Sequence, residues 1–137
     1  MHNDVFGNLE TKSSVLDRGL ATLLSDLNTR GLLSQTMVVV ASEFGRSPEV
    51  KAGRIGRDHH PSSFTALLAG GGIKAGYVYG KSDERAHYVE ENGVGMVDLN
   101  ATIARAMGLN TNKTIYSPGG RPFKVAHDGT PISDIFA

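Results

Sequence analysis

Apolar residues early in the chain recur at three- and four-residue spacing: Val15, Leu16, Leu20, Leu23, Leu24 and Leu27. On a helix these positions form one stripe, with Asp17, Arg18, Asp26 and Arg30 mainly on the other side. The spacing therefore predicts an amphipathic helix over residues 8–30. Gly31 follows where a left-handed residue would close it. The period then changes. Thr36-Met37-Val38-Val39-Val40-Ala41 is continuous and β-branched, the pattern of a short strand buried on both faces, as at the centre of a parallel sheet. Helix, tight turn and buried strand together predict half of a right-handed crossover unit.

Periodicity lapses over residues 42–61, a polar stretch expected to form a long loop at the C-terminal end of that strand. In open parallel sheets this is the edge where ligands bind, and long loops without their own structure are commonly functional or disordered. Residues 64–69 read as a second buried strand, stopped by Gly70-Gly71-Gly72. Residues 73–80 suggest a turn and a short strand, and residues 81–95 are polar and carry no clear pattern. Asp98 is placed to cap a helix over residues 98–107, with Leu99, Ile103, Ala106 and Met107 inward and Gly108 at its end. The tail holds a turn at Ser117-Pro118-Gly119-Gly120, a short run over 122–125, a turn at Asp128-Gly129 and a terminal apolar stretch over 132–136. No repeat, low-complexity tract or linker interrupts the chain, so residues 1–137 are read as a single domain.

Composition narrows the function classes. The 137 residues are 39% hydrophobic and 20% charged, ordinary for a globular chain large enough to form a core. Fourteen basic and fourteen acidic side chains cancel to zero net charge, so there is no basic footprint for nucleic acid or anionic membrane. Apolar runs fall well short of a membrane span. The absence of cysteine removes disulfides and thiolate metal sites and leaves the compartment open. The Met1-His2-Asn3-Asp4 start shows no leader peptide and runs almost directly into the first helix, as either a true start or a cut in a longer chain.

Candidate chemistry concentrates in the polar loop. Arg57-Asp58-His59-His60 combines carboxylate and imidazole, donors suited to zinc or another divalent ion. In an extended segment Asp58 and His60 would share a face and His59 would point away; a loop relaxes that rule, so spacing does not choose between the two histidines. The same run could be a surface turn with solvated rings and Asp58 bonded to backbone. Glu43, just after the first strand, could ligate a metal or serve as acid or base, or could form an ion pair with Arg46 that orders the loop. Arg46 and Arg57 have the fork geometry to bind an anionic oxygen bidentately, and either could equally be a structural clamp. His2 with Asp4 is a further polar pair, near a terminus where fraying is the ordinary state. The triple glycine lacks the spacing and following helix of a dinucleotide site, so no nucleotide cofactor is expected. His87 and His127 stand alone and are expected to face solvent. Nothing marks Ser47 or Ser62 as an activated nucleophile.

Four blocks in order resemble the C-terminal part of the DUF1501 family. They are Gly31-Leu32-Leu33 through Val40, Glu43-Phe44-Gly45-Arg46-Ser47-Pro48, Gly56-Arg57-Asp58-His59-His60-Pro61, and Ala69-Gly70-Gly71-Gly72-Ile73-Lys74-Ala75-Gly76. Asp98-Leu99-Asn100-Ala101-Thr102-Ile103 looks like the last sheet-packing helix of the same superfamily. DUF1501 proteins are sulfatase-like and alkaline-phosphatase-like. The resemblance implies an α/β fold with a mostly parallel sheet flanked by helices, and metal ligands on loops at the strand ends. His2 matches the His of a Trp-Asp-Thr-His stretch that family members carry before the first helix. Glu43 falls where classical relatives carry an Asp-His pair, and Phe44 replaces that His. His59, beside Asp58, matches a Gly-Arg-Asp-His motif, whereas His60 stands where relatives often have an aromatic residue.

The resemblance thus implies a metal set drawn from His59, Asp58, Glu43 and His2, with zinc or manganese as the ion. Arg46 and Arg57 would bind a phosphate or sulfate ester. The family's nucleophile and first metal-binding Asp come from an N-terminal half, so this chain is expected to be a partial domain that is inactive alone. Missing sheet partners would leave an open strand edge and favour homo-oligomers. Relatives are often exported to the periplasm or beyond. The alternative expectation is a non-catalytic α/β module that keeps the fold for binding or assembly.

Overall fold

The computed structural model describes residues 1–53 and 55–137. Helix α1 spans Phe6–Thr29, slightly ahead of the stripe's limits. Asp4 seats its start. One carboxylate oxygen accepts the Gly7 N–H at 2.9 Å, and the Asp4 carbonyl accepts the Asn8 side-chain amide at 2.7 Å, which occupies a donor left open at a helix N-terminus. At the other end Gly31, with φ of 70°, donates to the Asn28 carbonyl at 3.0 Å, and Leu32 to the Leu27 carbonyl at 2.8 Å. Only glycine takes that left-handed turn without a Cβ penalty. The stripe is covered in part. Leu20, Leu24 and Leu27 are half-buried, Val15, Leu16 and Leu23 are exposed, and α1 buries no residue completely.

Strand β1, Met37–Val40, pairs antiparallel with a strand at Leu67–Gly70, from Met37 opposite Gly70 to Val40 opposite Leu67. Three further antiparallel ladders follow: Gly45–Arg46 with His59–His60, Lys81–Ser82 with Val89–Glu91, and Thr114–Tyr116 with Pro122–Lys124. In chain order these strands are β1 (37–40), β2 (45–46), β3 (59–60), β4 (67–70), β5 (81–82), β6 (89–91), β7 (114–116) and β8 (122–124). Each sheet has two strands among the described residues. Among the described residues the parallel contact is an isolated bridge between Asp4 and Ile55.

The ladders therefore differ from the mostly parallel sheet expected above. A parallel return needs a crossover, usually a helix. Residues 41–66 contain no helix among their described members and fold back through β2 and β3, so Leu67 re-enters opposite Val40, at the end where the chain left. β1 is half-buried along its whole length rather than covered on both faces. Gly70, Gly71 and Gly72 form the strand exit with φ of 73°, 56° and 83°.

The best-buried cluster lies around helix α2, Met96–Ala106, whose Leu99, Ala101, Thr102 and Ala104 are buried. Of the residues expected inward, Leu99 is buried, Ile103 and Ala106 are half-buried, and Met107 departs at 69% exposed. Asp98 sits in the first turn rather than before it, and one oxygen reaches back to accept the Gly95 N–H at 3.2 Å. Its other oxygen accepts the Thr130 N–H at 2.8 Å, which ties the C-terminal tail to the helix. Thr102 completes the tie. Its hydroxyl donates to the Asp98 carbonyl at 2.6 Å and accepts the Ile132 N–H at 3.0 Å. Thr102→Val keeps the shape but strands the Ile132 donor. A loss of about 1–3 kcal/mol in urea unfolding is expected, and a change below about 0.5 kcal/mol would show that the tail is held by other contacts.

Accessible surface totals 9553 Å², whereas a compact monomer of this mass exposes about 6,900 Å². The exposed residues include Val15, Leu16 and Leu23 of the α1 stripe. No helix among the described residues is long and apolar enough to cross a membrane.

Candidate metal and anion site

Two segments build the site. The first is the β2–β3 ladder, which sets Arg46 directly opposite His59 and Gly45 opposite His60. The Ser47 N–H extends the pairing to the Asp58 carbonyl at 3.0 Å. Two strand residues on each side would be marginal alone. Here Gly45 lets the neighbouring backbone close in, since a Cβ there would stand 2.4 Å from the Ser63 carbonyl oxygen. The second segment is the N-terminus. The Val5 N–H donates to the Ile55 carbonyl at 2.8 Å and the Arg57 N–H to the Met1 carbonyl at 3.3 Å, so residues 1–5 lie along residues 55–57. Gly56, buried between them, permits this approach: a Cβ would fall 1.7 Å from the His2 carbonyl oxygen. That steric requirement explains the glycine of the Gly-Arg-Asp-His run.

The consequence is that His2 and His59 meet, with their Nε2 atoms 3.1 Å apart. His2 Nδ1 lies 3.3 Å from Asp58 Oδ1. In a neutral His2 ring the Nδ1–H donates to Asp58, which leaves the Nε2 lone pair facing His59. Asp58 also forms an ion pair with Lys51. Arg46 Nη1 stands 3.4 Å from His2 Nε2 and donates to the Arg57 carbonyl at 3.2 Å. The Phe44 ring stacks on His59 with centroids 3.7 Å apart and planes 19° from parallel. The Arg46 guanidinium carbon is 5.6 Å from the Phe44 centroid. The pair is open to solvent, with His59 exposed and the His2 side chain 47% accessible.

The donors fit a divalent ion in part. Two imidazole nitrogens bound at ~2.05 Å with a tetrahedral angle stand ~3.3 Å apart, close to the observed separation. Asp58 behind His2 repeats the carboxylate–histidine pairing that fixes the tautomer of a ligating ring. A third donor is missing: among the described residues no group of three His, Cys, Asp or Glu side chains converges as metal ligands. Glu43 is exposed, and its carboxylate has neither a hydrogen bond nor an ion pair among the described residues, so it neither joins the histidines nor clamps Arg46. Asp58 reaches the site through His2 Nδ1 rather than beside the facing Nε2 atoms.

The remaining candidates have structural employment. Arg57 places its guanidinium carbon 5.9 Å from the Phe6 centroid, and its buried Nε has no hydrogen-bond partner among the described residues. His60 directs Nε2 to the His87 carbonyl at 2.6 Å. His87, expected to face solvent, is half-buried and sets Nε2 3.2 Å from Glu49 Oε1. His127 is exposed. Asp4 caps α1. Ser47 donates its hydroxyl to the Glu49 carbonyl at 2.9 Å, which is not the partner of an activated nucleophile.

Lys51 and the stacking role of Phe44 were not found by sequence reasoning. Lys51 carries no signal, being an ordinary lysine in a loop; the aromatic beside Gly45 and Arg46 was visible, but its partner was not. Among proteins of curated function and among solved structures, no match to the chain was found. A family model described as a protein of unknown function, DUF1501, matches residues 1–136. With that match spanning nearly its whole length, the chain belongs to the DUF1501 family.

Proposed function

We propose that this chain is part of a metal-dependent hydrolase acting on phosphate or sulfate esters, inactive by itself. His2 and His59 would hold zinc or manganese through their Nε2 atoms. The observation that carries the reading is the 3.1 Å approach of those atoms with His2 Nδ1 directed to Asp58. A bound divalent ion would supply Lewis-acid polarisation of an ester oxygen. Asp58 keeps the lone pair of His2 aimed outward. Arg46, with a guanidinium beside the pair, offers N–H donors to an ester's anionic oxygens. The Ser47 hydroxyl donates to the Glu49 carbonyl rather than to a base, and the reading stops at a partial site. An alkaline-phosphatase-like fold is part of the same proposal. It rests on the ordered motifs, not on the antiparallel ladders.

A second reading is a non-catalytic binding module. It is favoured by Arg46, whose positive charge stands 3.4 Å from the nitrogen that would ligate a cation and would instead suit direct binding of an oxyanion. For either reading, self-association is the proposed partnership. It draws on the exposed α1 stripe and on β1 and β4, each of which has one ladder partner.

Metal content decides between the readings. Wild-type protein purified without chelator is expected to carry stoichiometric zinc or manganese by mass spectrometry, and His59→Ala is expected to lose it. Absence of metal from both, with unchanged circular dichroism, would remove the metallohydrolase reading and leave the binding module.

A further inference from the structure

The two histidines are held by different means, and the difference singles out one residue. His2 has its ring fixed at both nitrogens, with Nδ1 on Asp58 and Nε2 facing His59. The hydrogen-bond contact of His59 is through Nε2 alone, and its Nδ1 has no partner among the described residues. An exposed imidazole tied at one nitrogen is free to swing about its two side-chain torsions. What lies against its face is Phe44, stacked at 3.7 Å.

We propose that Phe44 is a positioning residue that orients His59 and Arg46 for ligand binding at the His2–His59 pair; this rests on the metal reading above. Its placement is anchored. The Phe44 carbonyl accepts the Ser42 hydroxyl at 2.9 Å, and the next residue, Gly45, is closely approached by the Ser63 carbonyl and Phe64, with no room for a Cβ. The ring then serves two neighbours that face each other across the β2–β3 ladder. It stacks on His59 and lies within cation–π range of the Arg46 guanidinium. A hydrocarbon ring suits this role because it has no lone pair or proton to compete at either nitrogen. It does by stacking what Asp58 does for His2 by hydrogen bonding. Histidine ligands are ordinarily oriented through their second nitrogen, and His59 is oriented through its face.

The test compares Phe44→Leu, which removes the stack but keeps an apolar side chain, with Phe44→Tyr, which retains it. Two readouts are taken on the full chain: zinc affinity by competition with a chelating dye, and the His59 ring-proton shifts by NMR, assigned by their loss in His59→Ala. In Phe44→Leu the His59 protons are expected to move downfield as the ring current disappears. Zinc affinity should fall about 10- to 100-fold, the range for loss of a ligand-orienting contact. Phe44→Tyr should match wild type in both. Unchanged His59 shifts in Phe44→Leu, or full zinc affinity there, would overturn the role while leaving the metal reading intact. If wild-type protein binds no zinc, the metal reading fails separately and the NMR comparison alone decides whether Phe44 places His59. Should Phe44→Leu not fold, the wild-type protein answers: a nuclear Overhauser contact between the Phe44 and His59 rings supports the role, and its absence overturns it.

Discussion

Gly56→Ala is expected to separate His2 from His59 and to remove zinc binding, although the substitution adds a single methyl group. A Cβ at this position would lie 1.7 Å from the His2 carbonyl oxygen, 2.1 Å from the His2 carbonyl carbon and 2.8 Å from the Asn3 nitrogen. All three are backbone atoms, so no side-chain rotation relieves the clash, and the N-terminal segment must move by more than roughly 1 Å to restore van der Waals distance. The segment is held by hydrogen bonds from Arg57 to Met1 and from Val5 to Ile55, and the movement strains both. Overpacking of this kind costs about 1–3 kcal/mol. The effect on the site is larger, because displacing His2 takes away one of the two nitrogens proposed to hold the ion, together with the Asp58 contact behind it. Zinc affinity should fall at least about 100-fold, beyond what loss of an orienting contact produces. Chelator competition measures the affinity and urea unfolding the stability. An alanine variant that binds zinc like wild type would mean that His2 has no part in the site.

The second large effect concerns association. The purified chain is expected to self-associate at micromolar concentration in sedimentation velocity, and a combined Leu16→Glu and Leu23→Glu variant is expected to sediment as a monomer. The surface left exposed exceeds that of a compact monomer by roughly 2,600 Å², several times the ~800 Å² per partner that a standard interface buries. Leu16 and Leu23 stand two helical turns apart on one face and are 54% and 46% exposed. Burying a leucine contributes about 1.5–3 kcal/mol, and a symmetric pair buries each of them twice. Charges placed there should weaken association by more than about 100-fold. A wild-type chain that remains monomeric at about 100 μM, well above the expected micromolar range, would exclude this face as a self-association surface.

Local patterns carried the long elements because their physics is local. The 3.6-residue period of the leucines placed α1, and Gly31 closed it since a left-handed turn there excludes most other residues. The β-branched run at 37–40 marked β1, and the glycines at 70–72 its partner's exit. Strand direction was not legible. A run of valines states that a strand will be covered, but its partner's sense depends on the route of the intervening chain, and residues 41–66 turn back through β2 and β3. The face of α2 was legible in part: Leu99 is buried and Ile103 and Ala106 are half-buried as the spacing predicts, but Met107 is exposed. Its small residues Ala101, Thr102 and Ala104 are buried because the tail crosses them, and hydrophobicity alone pointed to Met107 instead.

The candidate site divides in the same way. Residue type marked His59, Asp58, Arg46 and His2 as groups able to bind a metal or an anion, since imidazole, carboxylate and guanidinium carry that chemistry wherever they stand. Their arrangement arises from the β2–β3 ladder and from contacts of His2 with residues more than forty positions away in the chain. Residues 1–5 lie along residues 55–57 because Gly56 leaves room for their backbone. That approach brings His2 to His59, puts Asp58 behind one ring and leaves Phe44 against the other. Elsewhere in the fold His60 meets a backbone carbonyl, Arg57 lies near Phe6 and Glu43 faces solvent. The sequence by itself marked the groups that can carry chemistry and placed α1, α2 and β1 to within a few residues, because propensity and residue chemistry act at short range. The tertiary structure alone decided which of those groups meet, because a separation of 3.1 Å between two rings depends on backbone packing that no local pattern encodes.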